Sequence, residues 1–370
     1  GVGIYVDEVY LGRSAGAVFD MIDIAQVEVL RGPQGTLFGR NTIGGAISIS
    51  TAKPDGVLAG KLDVKIGTDS RQNIRGMINV PISDNFFVRA SLSSMEQDGY
   101  VFRPFDGKDL GNQDYTSGRV AARFVMSDSF TADFSYDFYE DKTNGPPMVI
   151  TRVDDFPFNA TAIPGGNFPF LNNLFAGFGP AGPHPGPCAA NPTAPNCFTT
   201  ASVVTGDNTN LGTGPNFSEM ENEAITMILT WELGNIQAKL IGGHRSLEGT
   251  FASDRDGFGQ PDGQQWTPFA PLFINPVTHY FDTFIQDQTS LELQVSGSSL
   301  DTRLDWIVGV YTFSEDGENI NPVDFPPASI QSGGYFDYSS EAAFAQVTAR
   351  VTEDLSATLG VRYTKEDRDY

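Results

Sequence analysis

Residues 26–51 read QVEVLRGPQGTLFGRNTIGGAISIST: two short apolar runs, Val27 to Leu30 and Ala46 to Ile49, bracket a core holding Gly32, Pro33, Gly35, Gly39, Gly44 and Gly45. That much glycine excludes a helix interior and suits tight turns between short strands. Glu28, Arg31 and Arg40 sit among the glycines, so charged groups lie beside backbone that bends sharply. Such a unit either carries a site or wedges into another body. A phosphate cradle is disfavoured, because neither a GxxxxGK(S/T) nor a GxGxxG frame is present and no strand-then-helix context follows.

The run Glu28, Val29, Leu30, Arg31, Gly32, Pro33, Gln34, Gly35, Thr36, Leu37, Phe38, Gly39, Arg40, Asn41, then Gly44, Gly45, Ala46 and Ile47, closed by Lys53 and Pro54, is long and gapless. It resembles the C-terminal part of the plug domain of TonB-dependent outer-membrane receptors. Residues 1–13, GVGIYVDEVYLGR, resemble the segment that precedes it, with Glu8 where a glycine is common. The resemblance implies a plug remnant over 1–54 and the first half of an outer-membrane barrel over 55–370. It implies active import of a scarce ligand across the bacterial outer membrane, with the TonB energy-transducing complex and outer-membrane lipid as partners. A small-molecule iron chelate, a ferric siderophore, is the implied cargo, ahead of vitamin B12, haem, other metal chelates and oligosaccharides. The plug arginine of this motif is further implied to meet glutamates on the barrel wall, which pairs Arg31 with Glu292 as a candidate.

Downstream of the Asp55-Gly56 turn the pattern becomes strict alternation. Leu62, Val64 and Ile66 share one face and Lys61, Asp63 and Lys65 the other. The clearest hairpin sets Val120, Ala122, Phe124 and Met126 against Arg119 and Arg123, turns at Ser127 to Ser129, and continues with Phe130, Ala132, Phe134, Tyr136 and Phe138. About eleven such strands are expected. Tight turns at 81–85, 127–129, 234–235, 296–302 and 352–354 interleave with long connections at 97–114, 141–221, 253–282 and 314–340. That asymmetry predicts an all-β, antiparallel transmembrane barrel with short periplasmic turns and long outer loops. An open sheet edge in hydrocarbon costs several kcal/mol per unpaired group, so spanning sheets close. Family barrels have about twice this strand count. The expectation is therefore that the leading plug half, with its TonB-contacting box, and the trailing half-barrel lie outside these 370 residues.

Composition agrees with this reading. Forty Gly, 28 Phe and 12 Tyr favour strands and turns. A formal net charge of −23 excludes a nucleic-acid binder, which needs a basic footprint. No run of ~20 apolar residues suggests a spanning helix, and the first residues lack a signal-peptide layout. Cys188 and Cys197, the two cysteines, close a short proline-flanked loop that reads as a disulfide in an oxidising compartment; the three His are scattered, so no metal site is expected.

The long connection 141–221 carries Phe156, Phe158, Phe168, Phe170, Phe175 and Phe178, either as a ligand-contacting surface or as the loop's own small core. No catalytic residue is expected. Asp254 and Asp256 are loop carboxylates without a second constellation, EF-hand spacing is absent, and no nucleophile elbow or triad order appears. No cofactor is expected either. The rival reading is a secreted or surface β-rich glycan-binding module or glycan-active enzyme, using the Phe-rich loops as sugar platforms; a passive porin would not need residues 26–51.

Overall fold

A computed structural model of the chain describes residues 1–13, 23–149, 178–179, 182–183, 208–210, 212, 214–254, 279–300, 303–325 and 328–369. The N-terminal residues form a four-stranded sheet from β1 (Val2–Val6), β2 (Val9–Tyr10), β3 (Ile24–Arg31) and β4 (Gly45–Thr51). Its order is β2-β1-β4-β3; β1 and β4 run parallel, the other pairs antiparallel.

The remaining strands are β5 (Ala59–Ile66), β6 (Gln72–Ser83), β7 (Phe86–Gln97), β8 (Val101–Arg103), β9 (Lys108–Leu110), β10 (Gln113–Ser127) and β11 (Phe130–Thr143). They continue with β12 (Phe178–Gly179), β13 (Gly182–Pro183), β14 (Phe217–Leu233), β15 (Ile236–Asp254) and β16 (His279–Ser299). β17 (Leu304–Phe325), β18 (Ala328–Arg350) and β19 (Ser356–Asp369) complete the set. Eleven of these build one sheet in the order β19-β18-β17-β16-β15-β14-β11-β10-β7-β6-β5, while β8 pairs with β9 and β12 with β13. Every ladder in the large sheet is antiparallel and joins strands consecutive within that sheet, and β5 and β19 stand at its open edges.

Burial in the large sheet is inverted relative to a water-soluble protein. Leu62, Val64 and Ile66 are 72%, 55% and 82% exposed, and Ile74, Ile78, Leu92, Val120, Ile225, Leu291, Val310 and Leu359 also face out. The opposite face buries polar groups: Asn79 and Ser93 are fully covered, with Ser117, Arg119, Ser135, Asn222, Gln286, Gln288, Ser290 and Glu315 nearly so. Left in water, each large exposed side chain forgoes about 1.5–3 kcal/mol of burial. A sheet that turns a continuous apolar face outward and a polar face inward is one whose outer solvent is lipid. Near the tight-turn end this face carries ring pairs Phe86–Phe124 and Phe130–Trp231, with centroids 4.4 and 4.5 Å apart. Aromatic rings at that level match the girdle such barrels place at the membrane interface.

Two expected connections are strand instead. Residues 314–340, read as a long loop, belong almost entirely to β17 and β18, which pair from Leu304↔Ala349 to Phe325↔Ala328. At 22 residues β17 rises roughly 70 Å along its path, far more than a spanning strand of about 9–11 residues needs. Past Phe313 its sequence, SEDGENINPVDF, is mostly polar, so apolar alternation, the signal used to find strands, is absent there. The same reason lengthens β14, β15 and β16 past their expected ends. Within 97–114, β8 and β9 form a small hairpin of their own.

Candidate functional site

The four-stranded sheet lies on the polar face of the large one, and the apolar clusters of the described residues form at this seam. Tyr5, Tyr10 and Ala46 of the small sheet pack with Phe313 of β17 and Tyr338 of β18. Val9 packs with Ile228 of β14 and Ile241 of β15. The seam is the candidate site: a body held inside a wall by contacts that are mostly ionic.

The most deeply buried ion pair starts at the β1–β2 turn, where Asp7 and Glu8 both adopt left-handed backbone, φ 46° and 70°. Asp7 is buried and receives Arg119 Nη2 at 2.5 Å from β10, Thr51 Oγ1 at 2.7 Å, the Thr51 amide at 3.0 Å and Lys53 Nζ at 3.3 Å. Burial by itself pushes the Asp7 carboxyl up, but the Arg119 and Lys53 charges and the Thr51 hydrogen bonds outweigh it and hold the group below the usual carboxylate range. Arg119 also donates to both oxygens of Asp137 on β11, at 2.7 and 2.9 Å. Glu8 takes Lys239 Nζ of β15 at 2.9 and 3.0 Å.

Three more ties surround it. Asp23, just before β3, is held in a fork by Arg89 of β7, with Nη2 at 2.5 Å from Oδ1 and Nε on Oδ2, and accepts Ser91 Oγ at 3.0 Å. Burial raises the Asp23 carboxyl, and the Arg89 hydrogen bond and charge with the Ser91 bond outweigh that, leaving it lowered. Arg13 donates Nε to Glu315 of β17 at 2.5 Å and stacks 4.1 Å over the Phe336 ring, while Gln286 donates to the same carboxylate at 3.0 Å. Gln288 bridges the backbone, accepting the Gly12 amide at 2.9 Å and donating to the Tyr10 carbonyl at 2.7 Å. Below the seam Asn79 of β6 holds the link between the sheets, donating to the Asp55 and Val57 carbonyls at 2.9 and 2.7 Å.

The glycine-rich run is a folded loop between β3 and β4. Gly32, Gly39 and Gly45 take φ of 82°, 79° and 146°, and Asn41 takes 60°. A Cβ at Gly45 would sit 2.3 Å from the Leu30 carbonyl, so the antiparallel approach of β3 to β4 at this point depends on that glycine. Gly32 and Gly44 share a backbone hydrogen bond of 3.2 Å, and the Gly35 carbonyl accepts the Gly39 amide. Tyr5 Oη donates to the Phe38 carbonyl at 2.6 Å, and burial, then the neighbouring Tyr10, pushes its phenol up, so it stays a donor. Asn41 donates to Tyr10 Oη at 2.7 Å. Pro33 and Gly35 carry the loop between these bonds, toward β17–β19.

Arg40 is the motif cation that meets the wall. Its guanidinium lies 3.9 Å over the Tyr338 ring, 5.6 Å from that of Phe313 and 5.8 Å from that of Tyr10, and its Nη1 is buried without a hydrogen-bond acceptor. Such a placement is a cation–π contact, in which the ring faces replace an acceptor. Arg31 instead ends β3 on its exposed side, and the Glu28 carboxylate, three residues earlier, accepts Gln26 Nε2 at 2.8 Å. No ion pair joins Arg31 to Glu292 among the described residues: Glu292, on the inward face of β16, accepts Gln294 Nε2 at 2.7 Å, and the cations acting on it are Arg362 and Lys239.

Phe156, Phe158, Phe168, Phe170, Phe175, Cys188, Cys197 and Asp256 lie outside the described residues; Phe178 falls in β12. Asp254 is a buried structural acceptor, taking the Gly214 amide at 2.6 Å, while Arg103 Nη1 donates to the Gly214 carbonyl at 3.0 Å. Among the described residues no group of three His, Cys, Asp or Glu side chains is arranged to hold a metal. The ionic ties were missed in the sequence, although a signal existed. Arg89, Arg119 and Asp137 sit opposite outward apolar residues in mid-strand, where a charge needs an interior partner.

Comparison with known proteins follows the same division. Residues 1–46 match the family model described as TonB-dependent Receptor Plug Domain. The pesticin receptor of Yersinia pestis is 35% identical over 131 residues, 34% of this chain and 19% of that receptor. Among solved structures, the ferric yersiniabactin uptake receptor FyuA from Yersinia pestis superposes with a TM-score of 0.70 at 19% identity, covering 99% of this chain and 48% of that one. The ferripyoverdine receptor of the outer membrane of Pseudomonas aeruginosa gives 0.65 at 14%, covering 99% and 46%. The chain thus spans about half the length of the structures it matches and about a fifth of the pesticin receptor.

Proposed function

We propose that this chain, whose small sheet is a TonB-dependent receptor plug and whose large sheet has the fold of the barrels that enclose such plugs, serves active import of a ferric siderophore across the bacterial outer membrane. The observation that carries the reading is the seam. A sheet with a lipid-facing exterior surrounds a separately folded body tied to it through Asp7–Arg119, Glu8–Lys239, Arg13–Glu315 and Asp23–Arg89. Ion pairs of this kind, beside two small apolar clusters, hold the body at rest without one large apolar core to pull apart when it moves. The division would fall in the 52–58 link that Asn79 grips.

The cargo class draws support from relatives whose names specify ferric yersiniabactin and ferripyoverdine. Energy would come from the TonB complex, acting on a part of the plug outside the contacts described above. The relatives are transport receptors rather than enzymes. A soluble glycan-binding module is disfavoured by the outward apolar face, which water would not tolerate.

The test is uptake of radiolabelled ferric siderophores by an iron-starved strain lacking its other siderophore receptors and carrying the full-length receptor. Uptake of at least one siderophore that requires TonB and stops on adding a protonophore is expected. Uptake that persists without TonB, or none across catecholate, phenolate and pyoverdine-type chelates, overturns the reading.

A further inference from the structure

Three successive residues, the two of the β1–β2 turn and the first of β2, reach the wall. Asp7 reaches Arg119 on β10 and Glu8 reaches Lys239 on β15. Val9 presses onto β15 at Gly243, where a Cβ would stand 2.6 Å from Val9 Cγ1, so the wall is bare where the turn lands. Two-residue turns with both φ positive normally place glycine second, because a side chain there is strained. Here that place holds Glu8, at φ 70°, and its carboxylate is the group that crosses to the wall. A glycine would relax the turn and lose the contact.

We propose that the Asp7-Glu8-Val9 turn is a positioning key that seats the plug on the β10–β15 wall and must withdraw when the plug rearranges. Its charge sense, carboxylates on the plug and cations on the wall, is opposite to the one the arginine motif suggests. The seating half stands on the contacts alone; the withdrawal half rests on the proposed transport role.

Seating is read by amide hydrogen exchange of residues 2–11 in the full-length receptor in outer-membrane vesicles, without cargo. Glu8→Gln and Lys239→Met should each speed exchange about two- to fivefold, the range of a partly exposed ion pair. The exchanged pair Glu8→Lys with Lys239→Glu should restore the original rate, and about 0.5 M salt should erase the difference between wild type and Glu8→Gln. Gly243→Ala, which leaves the plug sequence untouched, should also speed exchange. Unchanged β15 amides report an intact wall. A Glu8→Gln variant that exchanges as slowly as wild type, or a charge exchange that fails to rescue, overturns the key.

Withdrawal is read by a bis-maleimide bridge between Glu8→Cys and Lys239→Cys in a Cys188→Ser, Cys197→Ser background that imports normally before bridging. The bridge should abolish uptake, and undiminished uptake overturns withdrawal. Absence of uptake in the wild type would instead defeat the transport reading and leave the exchange results standing.

Discussion

Replacing Asp7 by Asn isolates the strongest tie between plug and wall. Asparagine accepts left-handed backbone readily, so the φ of 46° adds little cost, and its amide oxygen still accepts from Thr51. What is lost is the negative charge facing Arg119 at 2.5 Å and Lys53 at 3.3 Å. Arg119 is 4% exposed and keeps the Asp137 carboxylate at 2.7 Å, so it is not stranded. Breaking a buried pair costs about 3–5 kcal/mol, and the retained Asp137 partner brings this one just below that range, to about 2–3 kcal/mol. At about 1.4 kcal/mol per decade, the opened plug becomes roughly 30- to 150-fold more populated. The assay is amide exchange along the β1–β4 ladder, Gly3↔Ala46 to Val6↔Ile49, in the full-length receptor. Arg119→Met should give an effect of similar size, and the double variant little more than either alone. An Asp7→Asn receptor whose ladder exchanges within about threefold of wild type would refute the assignment of Asp7 as the main buried tie.

The Asp23–Arg89 fork carries a pH signature. Because its folded carboxyl lies below the ordinary value of 3.8, its contribution is complete above that value and is lost as pH falls through the folded one. Asp23→Asn should therefore loosen the plug at neutral pH and match wild type in strong acid; a gap that persists there would exclude the fork as its source. Arg40→Lys keeps the charge but loses the planar stack on Tyr338, and should weaken docking of residues 34–42 by about 0.5–1 kcal/mol, seen as a few-fold faster exchange confined to that loop. Removing Arg103, which is buried, pairs with Asp106 and holds the Gly214 carbonyl, should free the returning end of the 141–221 connection. Arg103→Met is expected to raise proteinase K cutting near residues 208–216 on intact cells about tenfold, the scale of one charged hydrogen-bond set; an unchanged cutting pattern would show that the clasp does not organise this loop.

The period-two alternation around 62–66, 120–138 and 304–310 determined the eleven-stranded sheet and its outward face, because within lipid every second side chain must be apolar. The run from Glu28 to Ile47 marked the plug through its resemblance to the family motif, and its glycines marked the sharp turns that the backbone takes with positive φ at Gly32, Gly39 and Gly45. Along the outer halves of β17 and β18 polar residues fall at both odd and even positions, the alternation lapses, and residues 314–340 read as loop although the backbone pairs out to Phe325↔Ala328. Sequence also could not match partners across the seam. Asp7 and Arg119 are 112 residues apart, and Arg13 and Glu315 are 302 apart. A carboxylate and a guanidinium carry no mark of each other until folding buries both in one place. Hence the sequence identified an arginine-bearing motif, whereas the tertiary structure decided that Arg40 meets the wall through aromatic rings, that Arg31 does not meet Glu292, and that the ion pairs of the β1–β2 turn place the carboxylates on the plug.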